Sequence, residues 1–498
     1  MELHILLFCI SLFLFIMKPF FHGSSSRKTP PGPKGLPIIG SLLELGPRPN
    51  QSLAALAKIH GPIMTLKLGS ITTIVASSPE AAKEILQKQE QVFSDRTVPC
   101  VVTAQPYHKT SLAWAPGDQR WRSYRRICAT QMFTNQRLDL LQPLRHKKVE
   151  DLMLYFKKHS DSTAPVDIGR ASFATALNVI SSTMFSIDIV DLDSENAQEF
   201  KDLILGITHN AGKPNLSDYF PLIKPLDLQG VKQNIRPFYQ RLNEIFDDLI
   251  FKRLEARKSG ESRKDDFLDV LLDQCEEEGS GFNHETIKSL STDFFIAGSD
   301  TNAISVEWAM AELLRKPEAM QKARDEIIQK IGFKRLVQDS DIDQLPYLQA
   351  VVKETMRLHP PTPLLIPYKA NKDTQVFGFN VPKDSQVLVN AWAIGRDPSY
   401  WENPASFSPE RFLGSCLDFK GRDFEYIPFG AGRRICPGIP LAIRMVSLML
   451  ASCIQAFRWR LPEGIAPEKL DMEEQFGLTL RKAVPLCVIP ILEEKQKF

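Results

Sequence analysis

Residues 429–438 read FGAGRRICPG: three glycines and a proline crowd one cysteine, with two arginines ahead of it. Glycine adopts backbone angles that other residues avoid, so this spacing lets the chain turn tightly around the Cys436 sulfur. Such a turn brings backbone N–H donors to the sulfur, which an electron-rich, metal-bound thiolate needs. Pro437 permits a helix to start close behind, and residues 441–457 (LAIRMVSLMLASCIQAF) carry a helical apolar pattern. A helix N-terminus beside the sulfur further favours the thiolate. Arg434, two residues before the sulfur on the same strand-like face, is placed to reach an anionic group of a large cofactor. The competing reading of this stretch alone is a glycine-rich turn holding a core cysteine.

The rest of the 498-residue chain bounds the problem. Its 43% apolar and 24% charged content is globular. A formal net charge of +2 argues against a nucleic-acid partner. Cysteines at 9, 100, 128, 275, 416, 436, 453 and 487 form no CxxC and no zinc spacing, so they read as free thiols in a reducing compartment.

The N-terminus is nearly all apolar from Leu3 to Phe21, close to the roughly 20 residues that cross a bilayer core. A cleaved signal peptide is the rival reading, but the only charge before the run is Glu2, while Lys18, Arg27 and Lys28 lie at its end or beyond it. That asymmetry keeps the downstream body cytosolic. The expected organisation is a membrane anchor over 1–21, a proline-rich hinge over 22–45 and one cytosolic catalytic domain over 46–498. The sequons at Asn50 and Asn215 would then be unused.

Two short β-prone runs, 65–68 and 72–75, are split by Gly69 and Ser70 and predict a hairpin. Helical patterning dominates from about 80 to 360, and a second β-prone patch spans 374–389. The charged stretch 259–266 reads as a loop between helices. The predicted fold class is mainly α with a small β part.

Around the cysteine, FxxGxRxCxG is met at Phe429, Gly432, Arg434, Cys436 and Gly438. With this pattern the chain resembles the cytochrome P-450 monooxygenases. The resemblance implies the cytochrome P-450 fold behind a single transmembrane helix, with heme b whose iron is held by the Cys436 thiolate. Further motifs extend it. AGSDT at 297–301 lies in a long helical segment, where Gly298 costs about 1 kcal/mol against Ala and suggests a local opening of the helix. The resemblance assigns proton delivery there to Asp300 and Thr301. ExxR is present as Glu354 and Arg357 and PERF as residues 409–412, a structural lock by the same resemblance. Trp121 and Arg125 of WxxxR, with Arg434, are implied to hold the haem propionates. Arg122 and Arg126 give a neighbouring basic face suited to an acidic electron donor. One position departs: Tyr368 stands where many relatives carry His or Arg against a propionate, offering a hydrogen bond without charge.

The resemblance covers essentially the whole chain. It implies oxygen insertion from O2, with electrons from NADPH through a separate NADPH–cytochrome P-450 reductase in the endoplasmic reticulum membrane. Residues 391–398 (AWAIGRDP), 424–442 and 476–486 (FGLTLRKAVPL) are most similar to the plant branch of geraniol hydroxylases and ferruginol-synthase-type abietane oxidases. Substrate-contact regions carried over by resemblance are 98–105, 209–213, 294–301, 362–366 and 476–480. The expected substrate is a hydrophobic terpenoid, an abietane-type diterpene phenol ahead of a monoterpene alcohol. An alkaloid or phenylpropanoid substrate, an O2-independent haem-thiolate isomerase or dehydratase, and a non-catalytic haem protein are the alternatives.

Overall fold

A computed structural model describes residues 29–194, 196–462 and 464–493; the expected anchor, 1–21, lies outside the described residues. The alternating apolar runs form the hairpin β1 (Ile63–Leu68) and β2 (Ile71–Ala76), closed by Gly69 and Ser70 with Leu68 opposite Ile71. Gly69 has φ 58°, the left-handed geometry that a two-residue hairpin turn requires. Three distant segments extend the sheet: β3 (Asp95–Arg96), β4 (Tyr368–Lys369) and β5 (Gln386–Val389). The order is β1-β2-β5-β4-β3, with β2 and β5 parallel and the other pairs antiparallel. This pairing sets Arg96 opposite Tyr368, 272 positions apart in the chain.

Helices make up the bulk of the body. Those that build the site are α1 (Gln119–Gln131), α2 (Ile168–Phe185), α3 (His284–Arg315), α4 (Pro346–Leu358) and α5 (Ile439–Ala456). α2, α3 and α5 bury residues on most faces, which places them in the core rather than on the surface. α3 starts where Asn283 Oδ1 accepts the Thr286 N–H at 2.9 Å. The Gly298 side of α3 crosses α2 so closely that a Cβ there would collide with Ile180 Cδ1. α3 runs unbroken from His284 to Arg315, so this glycine serves close packing and not the helix opening expected from sequence.

Other expectations are met or refined. The charged stretch 259–266 does connect two helices, Val231–Lys258 and Phe267–Glu276. The proline-rich segment is docked from Pro31 onward, where the Thr65 N–H donates to the Pro31 carbonyl at 2.8 Å and Gly40 bridges to Leu68. Part of the expected hinge is therefore a piece of the folded body. The sequon asparagines Asn50 and Asn215 are both buried in the folded body. The seven described cysteines are all free thiols.

α4 carries a fully buried ion pair. Arg357 Nε and Nη2 donate to the two Glu354 oxygens at 2.7 Å each, and Arg411 Nε reaches Glu354 Oε1 at 3.0 Å. The remaining Arg357 donors go to the carbonyls of Gly395 (2.6 Å), Pro404 (2.8 Å) and Ser406 (3.1 Å). An irregular segment with little ladder of its own is thus fastened to α4 by one guanidinium. Removing the carboxylate strands that charge in the interior. Glu354→Ala is expected to cost about 3–5 kcal/mol of stability, read as a lowered midpoint of urea unfolding.

Candidate active site

The loop before α5 is closed by the Cys436 N–H donating to the Phe429 carbonyl at 3.0 Å. Gly430 and Gly432 sit at φ 72° and 66°. A Cβ on Gly432 would strike the Leu86 carbonyl oxygen, so glycine is required both for its angle and for its space. Residues Gly432–Arg434 form a 3-10 turn, not the strand-like face expected from sequence. Burial pushes the Cys436 thiol pKa up, while the N–H groups of Gly438 and Ile439 and the charge of Arg125 pull it down. These N–H groups belong to the start of α5, and the N-terminal dipole works in the same direction.

Cys436 opens onto a cavity walled by α1, α3, β3 and β4, with Arg96, Trp121, Arg125, Tyr368 and Arg434 on its lining. Arg434 Nε donates to the Ser94 carbonyl at 2.8 Å, and its other nitrogens to those of Leu112 (3.3 Å) and Ala115 (2.5 Å). Its guanidinium lies 3.9 Å over the Trp121 ring, whose Nε1–H donates to the Leu112 carbonyl at 2.9 Å. Burial and the neighbouring Arg96 hold the Arg434 pKa down at about 9. Burial likewise lowers Arg125, which has no hydrogen-bond or ion-pair partner among the described residues. Arg96 donates to the Ala113 and Ile366 carbonyls at 3.2 and 2.6 Å and lies 4.2 Å over the Tyr368 ring. The charge that Tyr368 lacks is thus supplied from β3. Sequence reasoning missed Arg96 because only the β3–β4 pairing brings it there.

The opposite wall is α3, through Asp293, Ala297, Gly298 and Thr301. Thr301 Oγ1 donates back to the Ala297 carbonyl at 2.6 Å. Asp300 is buried on another side, where its Oδ2 accepts from Thr479 Oγ1 at 2.8 Å; it does not line the cavity. Burial raises its pKa, against the charge of Arg481 and the Thr479 bond. Of the acid–alcohol pair, the structure brings only Thr301 to the cavity. Asp293 was not singled out from sequence, although it lies eight residues before Thr301 on one helix face. Its carboxylate accepts from Tyr107 Oη (2.7 Å), Ser111 Oγ (2.8 Å) and the Leu112 N–H (2.5 Å), and burial pushes its pKa to about 6. It ties the loop in front of α1 to α3.

The expected substrate-contact regions are divided between two spaces. Phe294, Thr362, Leu365 and Ile366 line the cavity at Cys436. Val98, Lys213, Leu364, Phe476, Gly477 and Leu478 line a second, outer cavity, and Arg96 and Leu365 border both. Leu365 holds φ 52°, a strained angle at the partition between them.

Residues 30–487 match the family model described as Cytochrome P450. The chain is 51% identical to geraniol 8-hydroxylase of Catharanthus roseus, over 93% of this chain and 95% of that protein. It is 49% identical to geraniol 8-hydroxylase of Swertia mussotii, covering 94% of each, and 45% identical to drimenol monooxygenase of Persicaria hydropiper, covering 98% and 97%. The chain belongs to the cytochrome P450 family. It is a plant-type monooxygenase with a haem-thiolate cofactor, and electrons from NADPH reach it through a reductase. The cavity fits that cofactor: three guanidiniums without a carboxylate ion pair among the described residues suit two propionates, beside one sulfur and apolar walls.

Gly432→Ala is expected to yield protein that retains little haem, because the loop must leave Leu86 to accept the methyl group. The haem-to-protein absorbance ratio of purified protein, compared with the unsubstituted protein, measures this.

Proposed function

We propose that this protein oxidises a hydrophobic terpenoid alcohol or phenol, inserting one oxygen atom from O2 while NADPH supplies two electrons and the second oxygen leaves as water. The observation that carries this is the Cys436 sulfur, cradled by the start of α5 and facing a largely apolar cavity whose far wall carries Thr301. Haem, when bound, supplies the reductive activation of O2 and the oxygen transfer. Cys436 would hold its iron as the thiolate, kept in that form by the Gly438 and Ile439 N–H groups. Arg125, Arg434, Trp121 and Arg96 would hold the propionate edge, Arg125 most directly since its donors are uncommitted.

Thr301 and Asp300 are the proposed proton carriers. Asp300, with its raised pKa, holds a proton at Oδ to a higher pH than an exposed carboxylate does. To pass it on, Asp300 has to release Thr479 and turn toward Thr301 Oγ1. Thr301 stands at the cavity and is the group that presents the proton.

The named relatives act on geraniol and drimenol, both terpenoid alcohols, which supports a hydroxylated terpenoid as substrate here; an abietane-type diterpene phenol is also a hydroxylated terpenoid. Apolar residues such as Phe294, Leu365, Ile366 and Leu441 suit a hydrocarbon skeleton. The exposed Arg122 and Arg126 on α1 suit docking of the reductase. A single N-terminal anchor in the endoplasmic reticulum membrane is part of the proposal. It is supported by the exposed apolar side chains of Leu36, Ile38 and Leu43 and of Leu222, Leu226 and Leu228. The β1–β2 turn joins the two groups, through the Gly69 N–H to the Ile39 carbonyl and the Ser70 N–H to the Tyr219 carbonyl. Exposed apolar side chains on both of these segments suit contact with lipid.

Reductase-containing microsomes, with and without NADPH, are to be offered monoterpene, sesquiterpene and abietane alcohols and phenols alongside alkaloids and phenylpropanoids. NADPH-dependent gain of one oxygen on a terpenoid alcohol or phenol, read by mass spectrometry, is expected. Turnover of alkaloids or phenylpropanoids alone would sink the substrate class. In the same assay Thr301→Ala is expected to keep consuming NADPH but to yield about tenfold less product per NADPH, with peroxide making up the difference.

A further inference from the structure

We propose that Glu474 is a positioning residue for substrate entry: it anchors the loop 476–480 that forms one lip of the outer cavity. The inference rests on the monooxygenase reading of the inner cavity but not on the choice of terpenoid. That loop joins β6 (Glu474–Gln475) to β7 (Arg481–Lys482), a ladder of only two residue pairs. So short a ladder does not fix a loop by itself. The loop's far end is held by Thr479 Oγ1 on Asp300 at 2.8 Å and by the Leu480 N–H on the Pro361 carbonyl at 2.8 Å; its near end is held through what surrounds Glu474.

The Glu474 carboxylate is 8% exposed and gathers groups from three other parts of the chain. Trp392 Nε1–H donates to Oε1 at 3.2 Å and Gln51 Nε2 to Oε2 at 3.2 Å. Arg396 Nη2 and His359 Nδ1 each stand 3.6 Å from Oε1. His359 follows α4 directly and is itself fixed: its Nε2 meets Glu312 Oε1 at 2.8 Å, and its ring stacks on Trp308 at 3.9 Å with an interplanar angle of 1°. Arg396 lies 4.0 Å over the Trp392 ring. The base of the hairpin is therefore referenced to α3, to the end of α4 and to residues 392–396. The motif AWAIGRDP, otherwise without a part in the chemistry, finds one here.

Two residues on, Phe476, Gly477 and Leu478 line the outer cavity. Their tip touches the opposite lip, where the Leu478 N–H donates to the Thr208 carbonyl at 3.3 Å and a Cβ on Gly212 would collide with the Gly477–Leu478 peptide. Loosening Glu474 therefore shifts a contact across the entrance while leaving Cys436 and its loop untouched. Thr479 and Leu480 keep their own partners, Asp300 and the Pro361 carbonyl, so the effect falls on admission of substrate rather than on the oxygen-transfer step.

The test uses the full-length protein with its reductase, quantified per haem by the carbon monoxide difference spectrum. Glu474→Gln keeps the shape and the acceptor for Trp392 but removes the charge facing Arg396 and His359. It is expected to raise KM about three- to tenfold with kcat within about twofold. Glu474→Ala should do more; if it does not fold, Trp392→Phe removes a single donor to the same carboxylate. A second readout needs no terpenoid: the association rate of phenylimidazole, which must pass the entrance to ligate iron. That rate is expected to change at least about threefold in Glu474→Gln. Unchanged KM and unchanged phenylimidazole rates, with only the yield of haem protein altered, would overturn the proposal. If no terpenoid is turned over but the phenylimidazole rates shift, the substrate reading fails and this one stands.

Discussion

The rest of the site depends on the buried contact between Glu354 and Arg357. A carboxylate and a guanidinium, both without solvent, are tolerable only when every donor and acceptor is matched. Here the matching partners are the carbonyls of 395, 404 and 406, the Ser408 N–H and Arg411. Satisfying one buried charge thus fixes the path of an irregular segment that neither a ladder nor a helix would hold. Downstream of it the chain reaches the cysteine loop already oriented, and Tyr426 adds a tie from its hydroxyl to the Lys353 carbonyl at 2.9 Å.

α3 distributes the remaining tasks by face. One face presents Asp293, Ala297 and Thr301 to the cavity; another is pared to glycine at 298 so that α2 can approach. A third meets the C-terminal hairpin through Asp300 and, farther along, through Trp308 and Glu312 by way of His359. The acid and the alcohol that adjoin in sequence therefore serve different surroundings. Neighbouring helix positions are about 100° apart around the axis, so adjacency in a motif does not imply a shared direction.

The cation cluster shows what a single line of sequence hides. Arg125 and Arg434 are legible from their motifs, yet Arg434 gives its donors to three carbonyls while Arg125 is left open to the cavity. Arg96 belongs with them only because β3 pairs with β4, and its place over Tyr368 makes sense of a residue that looked like a loss of charge. The hub at Glu474 is similar: Gln51, His359, Trp392 and Arg396 have no periodic relation to it, so no local pattern announces their meeting.

The sequence by itself determined the mainly helical class, the β1–β2 hairpin, the cysteine loop with its following helix, and the family. The first three follow from periodicity, from the placement of glycines and from short spacings, all local properties of the chain; the family follows from the resemblance of its motifs. Only the tertiary structure decided that Gly298 makes room for Ile180, that Asp300 turns to Thr479, that Arg96 completes the cation cluster and that the segments expected to contact substrate divide between two cavities. Those outcomes depend on which distant surfaces are pressed together when apolar area and buried charge are satisfied at once.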